Sequence, residues 1–265
     1  MLGFASALAL LSFAPAEPVT YRLPENPLQY QVQVEFDGFV PVLGGQEGTF
    51  DVKIGMVVKG LSPDEDKNLR AESDLTELEV KFNGAPLPFT VDNVRPFFPK
   101  NVLSHTPQGK IVKTDAPDVS LPIRLPGLDA KRFPDITYLP IEFPEGPLEP
   151  EKSFSFEKKF GDSKVSYTVT LKRQEGETLF LTLKLNQAYE TLEDEAKNVV
   201  TKAEDAFAKV TTTVTGEGEV QFDVKQGVVV KSKVVADAVS KVVEIGSEAQ
   251  SERKLKTTVS VALKK

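Results

Sequence analysis

Gln29-Tyr30-Gln31-Val32-Gln33-Val34-Glu35-Phe36 alternates polar and apolar side chains without a break, placing Tyr30, Val32, Val34 and Phe36 on one face of an extended segment. A period of two marks a half-buried β-strand, because successive side chains leave the backbone on opposite sides. Phe50, Val52, Ile54, Met56 and Val58 repeat the pattern, and Leu78, Val80 and Phe82 repeat it again. Asn83-Gly84 follows at once and predicts a type I′ turn, whose two central residues both need positive φ. Residues 78–89 therefore read as a hairpin, its second arm weakened by Pro86 and Pro88, which cannot donate to a ladder.

Outward from that hairpin the chain changes character. Of its 19 prolines, 13 lie in residues 86–150 and none follows Pro150. Aromatic residues (Phe89, Phe97, Phe98, Phe133, Tyr138, Phe143) are interleaved with them. Such a stretch cannot supply central strands and is expected to form edge strands and packed loops, among them 110–114 and 137–143, lying over a sheet. Alternation resumes after residue 150, through Phe154 and Phe156, through Val165, Tyr167, Val169 and Leu171, and through Leu179, Leu181, Leu183 and Leu185. In residues 194–209 the period shifts: Leu192, Ala196, Val199, Val200, Ala203, Phe207 and Val210 recur three or four apart, which predicts an amphipathic helix. Further strands are expected at 220–224, 228–235, 241–245 and 255–263.

About ten strands and one helix predict a mainly β fold. The expected architecture is a curved antiparallel sheet, half-barrel or barrel-like, with the helix packed on it. A parallel sheet is excluded for want of crossover helices. The organisation expected is a signal peptide at 1–16 and a single β-rich domain at 17–265, with a division near residue 150 as the alternative.

Composition narrows the chemistry. The 265 residues carry 32 Lys and Arg against 39 Asp and Glu, a net charge of -7 that argues against a nucleic-acid partner. No Cys and one His exclude disulfides, thiolate nucleophiles and Cys- or His-rich metal centres. A Ser-His-Asp triad would need His105, yet the chain has no Gly-x-Ser-x-Gly elbow, and His105 reads as a loop or strand-end residue. Ser155/Lys158 and Ser251/Lys254 match Ser-x-x-Lys but fall in strand-like segments, where positions three apart face opposite ways. Asp64-Glu65-Asp66-Lys67-Asn68 begins like a calcium loop, but Leu69 replaces the required Gly and Leu75 the bidentate Glu, so a solvated turn is expected. Gly216-Glu217-Gly218 lacks the third Gly of a dinucleotide fingerprint and reads as the start of a strand. The expectation is a non-enzyme with no cofactor and no metal.

Residues 2–13 are uncharged and mostly apolar and lead into Ala14-Pro15-Ala16, a small-x-small site of signal-peptidase type. Export to a bacterial periplasm or beyond is expected, with no integral membrane segment after cleavage. The segment from Phe143-Pro144-Glu145-Gly146 to Phe154 is similar to one in exported bacterial β-rich proteins of unknown function, and 216–223 followed by Gly227 resembles their later hairpin. The overall plan also resembles the Lol-type periplasmic lipoprotein carriers, which implies a half-barrel lined with apolar side chains.

Two functional readings follow. In one, the concave face, including Phe36, Phe50, Val52, Ile54, Phe154, Phe156, Leu181 and Leu183, holds a lipid or other apolar small molecule; the same residues can equally form a dry core. In the other, the 86–150 layer is offered to an envelope protein.

Overall fold

The computed structural model describes residues 17–40, 45–115, 132–160, 163–247 and 249–264. The expected signal peptide and the middle of the Pro-rich layer, 116–131, lie outside them. The alternating segments form thirteen strands: β1 (Leu28–Val40), β2 (Gln46–Leu61), β3 (Leu69–Phe82), β4 (Ala85–Pro86), β5 (Asn101–His105), β6 (Ile111–Thr114), β7 (Ser153–Phe160), β8 (Ser163–Glu175), β9 (Thr178–Glu193), β10 (Val199–Val200), β11 (Ala208–Asp223), β12 (Val228–Glu244) and β13 (Gln250–Leu263). Two one-turn helices, α1 (Val91–Val94) and α2 (Phe133–Ile136), fall in the Pro-rich part. The fold is mainly β, one open antiparallel sheet ordered β6-β5-β3-β2-β1-β13-β12-β11-β9-β8-β7, with β4 on β3 and β10 on β9.

That order explains the Pro distribution. β1 pairs with both β2 and β13, so the first and last strands meet in the middle of the sheet and residue 150 interrupts neither ladder nor core. The edges are β6 and β7, and the chain between them has to cross from one edge to the other. Pro costs nothing in such a crossing, whereas it would remove a donor from a central strand.

The predicted Asn-Gly turn forms, with φ of 49° at Asn83 and 78° at Gly84. The predicted helix does not. Residues 194–198 instead make a tight turn in which the Asp194 carboxylate accepts the Asn198 backbone N–H at 2.8 Å and its side-chain amide at 3.1 Å. Lys197 there has φ 66°, which ends any helical path, and β10 then pairs with the end of β9. A short 3₁₀ turn, Ala203–Asp205, leads into β11.

The sheet is strongly curved. The Tyr21 ring lies 6.0 Å from His105 of β5 and 5.1 Å from Phe222 of β11. Those strands stand six steps apart in the sheet, about 29 Å if it were flat. Cross-strand register shows how the bend is accommodated: Tyr167, Leu185, Gly216, Ala236, Thr257, Phe36, Phe50 and Phe82 lie in one row across the face. Large side chains stand on the two flanks and small ones on the axis. A Cβ on Gly216 would sit 2.9 Å from the Val235 carbonyl oxygen, and one on Gly218 would collide with that of Lys233. Glycine in the middle of β11 is thus a requirement of close strand approach, rather than the strand start read from the sequence.

Candidate functional site

The eight concave-face residues expected to contact a ligand belong to one apolar cluster or pack against it. Phe36, Phe50, Val52 and Ile54 come from β1 and β2; Leu181 and Leu183 come from β9, and these six are buried. Phe154 and Phe156, on edge strand β7, are half-buried. The two groups stand on opposite flanks of the sheet, and chain segments from outside it bridge them. The Phe143 ring lies 6.4 Å from Phe154, 4.9 Å from Phe222 and 5.5 Å from Tyr21.

Two segments cover the face. The N-terminal strap inserts Val19 and Tyr21, and residues 133–148 insert Phe133, Tyr138, Leu139, Ile141, Phe143 and Leu148. Their fastenings are polar and specific. The Tyr21 hydroxyl donates to the Ile141 carbonyl at 3.0 Å, and its backbone N–H bonds Pro107 at 2.7 Å. Arg22 N–H bonds Gly227 at 2.9 Å, and Phe143 N–H bonds Gln108 at 2.8 Å. Of the layer expected at 86–150, the described residues up to 115 carry β4, β5 and β6, and residues 132–150 lie across the face.

Beneath the layer lies a polar cluster that the sequence reading missed. Lys158 Nζ donates to Asp135 at 2.6 Å and to the Leu139 carbonyl at 2.8 Å, the two side chains being only 5% and 4% exposed. The signal was available: Lys158 continues the inward phase of Phe154 and Phe156. His105, the last residue of β5 as expected of a strand end, is fully buried. Its Nδ1–H donates to the Thr106 carbonyl at 2.8 Å, and Nε2 finds no hydrogen-bond partner among the described residues. Burial holds the imidazole below its ordinary value of 6.5; the Thr106 bond opposes this and the Lys158 charge adds to it. Burial also pushes the Glu142 carboxyl up. So deep a cluster fastens the layer to the sheet.

The Asp64 turn is explained without a metal: its carboxylate accepts the backbone N–H groups of Asp66 and Asn68 at 3.1 and 2.8 Å, together with the Asn68 amide at 3.1 Å.

No family model matches the chain, and no curated protein matches it. Among solved structures, DynF from the dynemicin biosynthesis pathway of Micromonospora chersina aligns with 98% of this chain and 92% of its own, at 7% identity and a TM-score of 0.23. So loose a superposition carries no argument about fold or function.

Proposed function

We propose that the protein is a non-enzymatic, exported component of the bacterial cell envelope, working as an interaction module that offers its Pro-rich layer to a protein partner. One observation carries this reading. Phe89, Phe97 and Val112, in the part of the layer that borders β3 and β5, are 42%, 44% and 49% exposed; the other exposed large apolar residues among those described, Phe207, Val243 and Ile245, lie at or next to the ends of β11 and β12. Exposed large apolar groups on one segment are what a partner surface requires. Export rests on the apolar 2–13 run and Ala14-Pro15-Ala16.

The second reading, a lipid on the concave face, is favoured by the half-buried Phe154 and Phe156 at the edge.

Site-specific photo-crosslinking in cells that make the protein tests the first reading. A crosslinker replacing Phe89 or Phe97 is expected to trap one adduct of defined mass, and one replacing the convex-face Glu219 none. Identical patterns from all three positions, or no adduct from any, would sink the proposal. An acyl lipid retained by the full chain in native mass spectrometry would turn the choice to the second reading.

A further inference from the structure

Toward the other end of the concave face, ten residues along β11 from Phe222 and so about 33 Å away, four polar side chains form a continuous row. Tyr189 of β9, Thr212 of β11, Ser240 of β12 and Arg253 of β13 are consecutive cross-strand neighbours. Thr212 is buried and its hydroxyl lies 2.8 Å from that of Ser240. Rows of apolar residues, with Ala238 and Leu255 on one side and Val210 and Val242 on the other, flank the polar one. All four polar residues line a groove with a cavity volume of about 60 Å³. At about 10–15 Å³ per water site, that is room for four to six waters, or for the head of a short organic ion whose tail lies along the open groove.

The charges around the groove are unequal. Arg253 Nη1 is paired with Glu193 at 2.6 Å, and Lys254 at the rim lies 3.2 Å from Glu252. Lys197 has no carboxylate partner among the described residues: its ammonium donates to the Gly45 carbonyl at 3.4 Å and lies 5.3 Å from the centre of the Phe39 ring, which also packs 4.5 Å from the Arg253 guanidinium. One uncompensated positive charge therefore remains in a chain of net charge -7. Arg253 has five N–H donors in a planar fork, and the Glu193 contact engages Nη1 alone, so the fork can accept a second planar anion. The Thr212–Ser240 pair spends one hydroxyl proton within itself and leaves one donor beside the fork, and apolar residues on either side complete the requirements for a small amphipathic anion of single charge.

We propose that this groove binds a short-chain monocarboxylate, its carboxylate held by Arg253 with the one remaining hydroxyl donor of the Thr212–Ser240 pair and its alkyl part lying against Phe39 and Val210. The site is separate from the Pro-rich layer, and its occupancy does not depend on a protein partner.

Calorimetric titration of the full chain with hexanoate, acetate and inorganic phosphate tests it. Saturable binding of hexanoate is expected, weaker binding of acetate, and none of phosphate. Thr212→Val with Ser240→Ala is expected to weaken hexanoate at least tenfold, and Arg253→Met with Glu193→Gln, which removes both partners of the ion pair together, to abolish binding. Circular dichroism melts establish which variants fold; the hydroxyl variant decides the matter if the charge variant does not. Absence of saturable hexanoate binding, phosphate binding as tightly as hexanoate, or unchanged affinity in a folded variant would overturn the assignment.

Discussion

Lys158 and Asp135 illustrate how much one residue's phase in a strand can decide. Strand alternation directs Lys158 into the apolar face, where an unpaired ammonium would cost several kcal/mol, and Asp135 meets it from α2. Removing one partner leaves a buried charge uncompensated, so Asp135→Ala is expected to destabilise by about 3–5 kcal/mol in urea unfolding. Replacing both with apolar residues (Lys158→Met with Asp135→Leu) should recover most of that loss, because the desolvation cost disappears with the charges. His105 acts through pH. Its pKa is depressed in the folded state, chiefly by burial, so below the unfolded value of 6.5 the unfolded chain binds more protons and stability falls on acidification. Above that pH the contribution is fully present. His105→Gln is expected to flatten the fall between about pH 6.5 and 5 relative to the unsubstituted chain, as measured by urea midpoints across that range. Parallel pH profiles for the two proteins would count against this role of His105.

At the scale of elements, two turns of nearly the same sequence, Asp64-Glu65-Asp66-Lys67-Asn68 and Asp194-Glu195-Ala196-Lys197-Asn198, adopt the same hydrogen-bonded form. Each forces its Lys to positive φ, 64° and 66°. A left-handed residue with a Cβ costs roughly 1–2 kcal/mol, while Gly restores about 0.5–1 of that as unfolded-chain entropy. Lys67→Gly is therefore expected to stabilise by about 0.5–1 kcal/mol in denaturant melts, and a loss of stability would show that the lysine side chain matters more than the backbone. The second turn also explains why a helix was expected at 194–209. Leu192 at the end of β9, Val199 and Val200 in β10 and Phe207 before β11 come from separate short pieces, whose apolar residues imitate helical spacing by succession rather than by winding. Spacing identifies side chains that share a surface, and here that surface is shared across a turn.

On the scale of the whole molecule, the central event is the pairing of β1 with β13, which joins segments about 220 residues apart in the sequence. Tyr21, Phe143 and Phe222 then meet across the curved face. Because this ladder and core unite the parts before and after residue 150, fluorescence of Tyr side chains and far-ultraviolet circular dichroism should report one coincident unfolding transition in urea. Two separated transitions would instead indicate that the chain divides near that residue. Tyr21→Ala is expected to cost about 3–5 kcal/mol, as for other large buried aromatics, because its ring and hydroxyl connect the strap, the layer and β11.

Much of this was legible in the chain itself. Alternation in Tyr30 to Phe36 and in Leu179 to Leu185 identifies strands and their buried faces, because a strand's two sides follow directly from the period of its backbone. Asn83-Gly84 identifies its turn for an equally local reason, the tolerance of positive φ. The crowding of Pro into 86–150 excludes central strands there and foretells a layer. Strand order, however, is set by which distant edges pair, and no local period encodes that the first strand lies beside the last. The ion pair of Lys158 with Asp135, the burial of His105 beneath the strap, and the polar row from Tyr189 to Arg253 arise only when the sheet bends and brings remote residues onto one concave surface. Local sequence by itself determined the strand faces and the Asn83-Gly84 turn; tertiary structure decided which faces meet, because burial and charge pairing depend on distances that alternation does not specify.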